Sequence, residues 1–174
     1  VYMWDIDTKD EYLRDMGLMI GSDVPLFLAG KRCIIEGVGD RVKSRGISSV
    51  PLFYCLLIPP FGISTGEIYR HLNIQGDLTL ARQKIKILNE CIETKDMQGI
   101  EKNMFNRLQG VYLDLYKEGK EVMKKVEGKT GKRFFVSGSG GTLFTVFADR
   151  REAEEKMASM DISGWKGYVV ESKQ

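Results

Sequence analysis

The sequence predicts an α+β fold, and three features carry that reading. Leu52 to Ile58 is a nearly continuous apolar run, as a buried strand requires. Two strand-like stretches, Arg133 to Val136 and Leu143 to Phe147, flank the glycine-rich turn Gly138 to Gly141. Apolar residues at helical spacing fill the interval between the first strand and that pair. Residues 51–174 thus reduce to β-(helix cluster)-β-β-α-β, the split βαβ, ferredoxin-like order with extra helices in the first crossover. That order predicts a four-stranded antiparallel sheet with helices on one face.

Taken in order, Thr8-Lys9-Asp10-Glu11 has capping-box spacing and predicts a helix to about Leu18, with Gly17 and Gly21 marking its end and the following turn. Pro25 suits a first helical turn, so Leu26 to Leu28 continue as a short helix or strand. Arg32 to Glu36 is a short β-type segment closed by Gly37 and Gly39. From Asp40 to Ser49 polar residues and glycine dominate, which reads as a linker; domains are accordingly drawn at 1–48 and 49–174.

Pro59-Pro60-Phe61-Gly62 stops the strand that follows, and Ser64-Thr65-Gly66-Glu67 is a second capping box opening a helix to about Leu72. Leu78, Ala81, Ile85, Leu88 and Ile92 predict another helix, and a short piece follows at Met97 to Asn103. One longer helix is expected from about Arg107 to Val126. Beyond the glycine turn, a helix begins at Asp149 or Arg150 and runs to about Ser159, and Trp165 to Val170 forms the last strand.

Composition narrows the function. Hydrophobic residues at 43% and charged residues at 29% of 174 are those of a globular chain, which argues against disorder. A net charge of +2 with interspersed signs gives nucleic-acid binding no support. Cys33, Cys55 and Cys91 are scattered without a CxxC pair, which reads as reduced thiols in a cytoplasmic protein. With His71 the sole histidine, no zinc site is expected and no metal-ligating residue is assigned. No apolar run reaches the roughly 18 residues of a membrane span. The chain opens on Val1, which suggests a processed or partial chain.

Three places could carry chemistry. Asp23, in Gly21-Ser22-Asp23-Val24-Pro25, is a carboxylate on a turn held by a proline; it suits general-base work, or simply caps the helix that starts beside it. Ser64 and Thr65 put two hydroxyls and free backbone N–H groups at a helix start, where an anion is favoured; the plainer role for Ser64 is to cap its own helix. Ser137, Gly138, Ser139, Gly140 and Gly141 form a side-chain-poor loop whose amides can approach a phosphate, or a flexible hairpin connection. The Walker pattern Gly-x-x-x-x-Gly-Lys-[Ser/Thr] is absent, and a dinucleotide loop would lead into a helix.

In this order the blocks resemble the second half of a GHMP-type small-molecule kinase. Gly21 to Leu28 is similar to the family's G-[AS]-D-V-P-x-F pattern, and Glu36-Gly37-Val38-Gly39-Asp40 to its E-G-x-G-[ED]. Pro60 to Thr65 with Glu67 and Tyr69 is similar to the next block, and Val136 to Phe144 to the closing glycine motif. Asn106-Arg107-Leu108-Gln109 is similar to N-D-L-E, with Arg107 and Gln109 in place of both acids.

The resemblance implies that Asp23 is the catalytic aspartate, that Thr65 with Ser64 beside it lies on the substrate side, and that residues 138–141 shape the phosphate and substrate pocket. It implies ATP and Mg2+ as cofactors and a small-molecule alcohol as substrate, in the branch that phosphorylates a nucleotide-linked polyol for isoprenoid synthesis. The family's ATP-binding loop precedes the Asp-Val-Pro block, so the N-terminal kinase half is expected upstream or as a separate chain. Residues 1–48 would be the tail of that ATP-binding domain, and the chain alone would be inactive. The alternatives are another GHMP kinase, of mevalonate or homoserine type, and a non-catalytic ferredoxin-like ligand-binding domain.

Overall fold

The computed structural model describes residues 10–29, 32–37, 41–44, 50–73 and 78–172. The chain divides into two compact units, Val1–Ser49 with Lys173–Gln174, and Val50–Ser172.

In the first unit, α1 (Asp10–Ile20) and α2 (Val24–Ala29) are followed by β1 (Cys33–Glu36) and β2 (Arg41–Ser44). Thr8 and Gly39 lie outside the described residues. Gly17 sits inside α1 instead of ending it. A Cβ there would stand 3.0 Å from Val24 Cγ1 and 3.1 Å from Leu28 Cδ1, so glycine lets α2 pack closely on α1. The stretch read as linker contains β2, which pairs antiparallel with β1 in the register Cys33↔Ser44 to Glu36↔Arg41. Arg-Val-Lys-Ser is too polar and too short to announce a strand; only its pairing with Cys-Ile-Ile-Glu makes it one.

The second unit runs β3 (Phe53–Ile58), α3 (Thr65–His71), α4 (Leu78–Thr94), α5 (Met97–Asn103), α6 (Gln109–Leu115), α7 (Lys117–Thr130), β4 (Phe135–Val136), β5 (Leu143–Phe147), α8 (Arg150–Ser159) and β6 (Lys166–Glu171). The four-stranded sheet has the order β4-β5-β3-β6, every neighbouring pair antiparallel, as the ferredoxin-like reading requires. Ser172 closes the β3 end of the sheet, its N–H donating to Leu52 O at 2.8 Å and its Oγ accepting the Leu52 N–H at 3.0 Å.

Helices cover both faces of this sheet, not one. Cys55, Leu57, Leu143 and Phe147 pack with Ile68, Tyr112, Met123, Val126 and Ala153, which come from α3, α6, α7 and α8. Leu52 and Val146, with Tyr54 beside them, point the other way and pack with Cys91 and Ile100 of α4 and α5. Side chains alternate along a strand, so a run apolar at every position from Leu52 to Ile58 is itself the mark of a strand buried on two sides.

The helix expected over 107–126 is two helices. Tyr116 leaves the helical region at φ −113° and ψ 83°, ending α6 and beginning α7. Its N–H still bonds Tyr112 O at 2.8 Å and its carbonyl accepts the Lys120 N–H at 3.2 Å, so the break leaves these backbone groups paired. α7 then runs past Val126 to Thr130, where Gly131 at φ 68° takes the left-handed cap.

Candidate functional site

α3 begins as predicted. The Ser64 hydroxyl accepts the Glu67 N–H at 3.3 Å, as an N-cap. The other half of the capping box is relayed. The Ser64 N–H donates to Tyr116 Oη at 3.1 Å, and Tyr116 Oη donates to Glu67 Oε2 at 3.3 Å. Thr65, the next residue, projects its hydroxyl to 2.9 Å from Ser139 Oγ. Two of the three predicted motifs, far apart in sequence, therefore meet side chain to side chain.

The glycine loop is tightly built. The Ser137 N–H bonds Thr142 O at 2.9 Å, and the Gly140 N–H bonds Ser137 O at 3.0 Å. Gly140 lies at φ +116°, and a Cβ there would stand 2.5 Å from Tyr112 Cδ2; the loop runs directly over the Tyr112 ring. Gly141, at φ +39°, approaches Pro59 so closely that a Cβ would stand 2.7 Å from its Cγ. Among the described residues the N–H groups of Gly138 and Ser139 meet no acceptor, which leaves them free for an anion beside the two hydroxyls. α3 has only seven residues, so its dipole adds little; hydroxyls and loop amides dominate.

Residues that the sequence reading left without a role hold this loop. Asn106 Nδ2 donates to Val136 O and to Gly138 O, both at 2.7 Å, while its Oδ1 accepts the Leu108 N–H at 2.9 Å. Gln109 Oε1 accepts the Val136 N–H at 3.0 Å. Gln109 keeps an acceptor oxygen, as an acid at this place in the N-D-L-E pattern would. Arg107 is exposed. The pattern's asparagine was the available signal; its geometry became legible only with the loop in place. Beneath the loop, burial first, then Glu118 and Tyr116, push the Tyr112 hydroxyl up to about 12.

Asp23 belongs to the first unit and stands exposed immediately before α2, its carbonyl accepting the Leu26 N–H at 3.2 Å. Ser137 and Gly138 are exposed, Ser139 and Gly140 half-buried. Among the described residues no three His, Cys, Asp or Glu side chains converge on one point. No helix among them is long and apolar enough to cross a membrane.

Residues 88–164 match the family described as GHMP kinases C terminal. Over 99% of its length it is 26% identical to 4-diphosphocytidyl-2-C-methyl-D-erythritol kinase of Clostridioides difficile, of which it covers 58%. The fold superposes on a crystal structure of 4-(cytidine 5'-diphospho)-2C-methyl-D-erythritol kinase with a TM-score of 0.74, at 23% identity over 98% of this chain and 58% of that one. A homoserine kinase from Cytophaga hutchinsonii gives 0.71 at 17% identity, over 96% of this chain and 58% of that one. The chain thus spans little more than half the length of these proteins.

Proposed function

We propose that this chain is the C-terminal portion of an ATP-dependent kinase that phosphorylates the 2-hydroxyl of 4-diphosphocytidyl-2-C-methyl-D-erythritol, in cytoplasmic isoprenoid synthesis. The observation that carries it is the 2.9 Å approach of Thr65 Oγ1 to Ser139 Oγ, which joins the two motifs assigned to substrate and phosphate. The names of the sequence relatives favour this substrate over a homoserine- or mevalonate-type alcohol. In this reading Asp23 orients or deprotonates the attacking hydroxyl. Ser64, Thr65 and the Ser137–Gly141 loop position the substrate and its phosphates by hydrogen bonding. Such transfer works mainly through positioning and charge stabilisation. MgATP supplies the phosphoryl group, and residues 1–48 act as the tail of its binding domain, completed by an N-terminal half upstream or on a separate chain.

The test is phosphoryl transfer by the complete reading frame that encodes this chain, with the cytidyl substrate, homoserine and mevalonate offered in parallel. Turnover of the cytidyl substrate is expected, falling about 10²–10⁴-fold in Asp23→Asn, while the 174 residues alone turn over none. Preference for another alcohol would move the assignment within the family. Binding of a small molecule without transfer, unchanged in Asp23→Asn, would establish a binding domain instead.

A further inference from the structure

We infer that Tyr116 is a positioning residue for the phosphate-binding edge, acting through Ser64; the inference rests on the phosphate-site reading above. Tyr116 sits where α6 gives way to α7, and its departure from helical backbone geometry sends the side chain across to α3. The ring is held on two sides, stacked on Tyr112 at 5.4 Å between centroids and on Phe61 at 6.2 Å with the planes 5° apart. Because the ring is locked, the hydroxyl is fixed, and both its hydrogen bonds go to α3: it accepts the Ser64 N–H and donates to Glu67 Oε2. A direct capping box would tie Ser64 to Glu67 by a flexible carboxylate. The relay instead ties the start of α3 to the same aromatic stack over which Gly140 runs.

Both sides of the Thr65–Ser139 contact therefore refer to one rigid reference. On one side Tyr116 holds Ser64 and hence Thr65; on the other Tyr112 underlies the loop that carries Ser139. Loss of the Tyr116 hydroxyl leaves the stack in place but frees Thr65 to drift from Ser139, so an anion bound by both must order them again.

The experiment compares the 174-residue chain with Tyr116→Phe, which keeps the ring and removes the hydroxyl. Sodium tripolyphosphate is titrated while amide resonances of Thr65 and Ser139 to Gly141 are followed, and amide exchange is measured at Ser64. Expected are a melting temperature close to that of the unaltered chain, exchange at Ser64 faster by about tenfold, and tripolyphosphate binding weaker by roughly three- to tenfold, as one lost hydrogen bond allows. Binding by the unaltered chain that is equally tight in Tyr116→Phe overturns the positioning role alone. Failure of the unaltered chain to bind overturns both the phosphate-site reading and the role of Tyr116.

Discussion

Thr65 Oγ1 lies 2.9 Å from Ser139 Oγ although 74 residues separate them in the chain. Each hydroxyl can donate or accept, so the pair satisfies itself. Thr65 is exposed and Ser139 half-buried, so such a bond contributes little to folding. A double-mutant cycle with Thr65→Ala and Ser139→Ala should give a coupling of no more than about 0.5 kcal/mol in urea unfolding. A much larger coupling would mark the contact as structural.

Gly140→Ala should behave very differently. At φ +116° with a Cβ 2.5 Å from Tyr112 Cδ2, the substitution meets both backbone strain and a buried ring that has nowhere to go. A loss of about 2–4 kcal/mol is expected in urea unfolding. Gly138→Ala, with open space around its Cβ, should cost less despite its φ of +57°.

Asn106 and Gln109 divide the work of holding β4 and the loop. Asn106→Ala removes the donor to two carbonyls and should cost about 1–3 kcal/mol, with faster amide exchange from Ser137 to Gly141. Gln109→Glu retains the oxygen that accepts the Val136 N–H and should stay within about 0.5 kcal/mol of the unaltered chain, whereas Gln109→Leu should lose about 1–2 kcal/mol. Equal effects of Glu and Leu at 109 would contradict the acceptor role.

Alkaline pH should unfold the second unit through two buried acids. Burial raises the Cys55 thiol from 9.0 to about 12, and the Tyr112 hydroxyl from 10.0 to about 12. Each holds its proton more tightly in the folded state, so their contribution is fully present below about pH 9 and is lost as pH rises toward 12. The urea midpoint should fall across that window, and less steeply in Cys55→Ala.

The same burial predicts the order of thiol labelling. At pH 8, iodoacetamide should modify half-buried Cys33 first and reach Cys55 and Cys91 only on unfolding. Mass spectrometry of the alkylated chain checks this directly.

Local pattern by itself determined most elements of the second unit. The N-cap at Ser64, the periodicity of α4, the Met97–Asn103 helix, the strand at Leu143–Phe147 and the helix behind Asp149 depend on neighbours within a turn or a pleat, so the sequence alone specified them. Their order also determined the β4-β5-β3-β6 sheet.

The tertiary structure decided what depends on partners distant in sequence. Arg41–Ser44 becomes a strand because β1 pairs with it, and Gly17 lies inside α1 at the point where α2 packs closest, not at its end. The helix expected over 107–126 breaks at Tyr116, where the ring stacks on Phe61 and Tyr112 and the hydroxyl meets Ser64 and Glu67, partners no local pattern announces. The loop's supports, Asn106 and Gln109, were visible as residues but not as contacts. A side-chain amide carries no periodicity, and its partner is chosen by where the backbone brings an unpaired carbonyl or N–H.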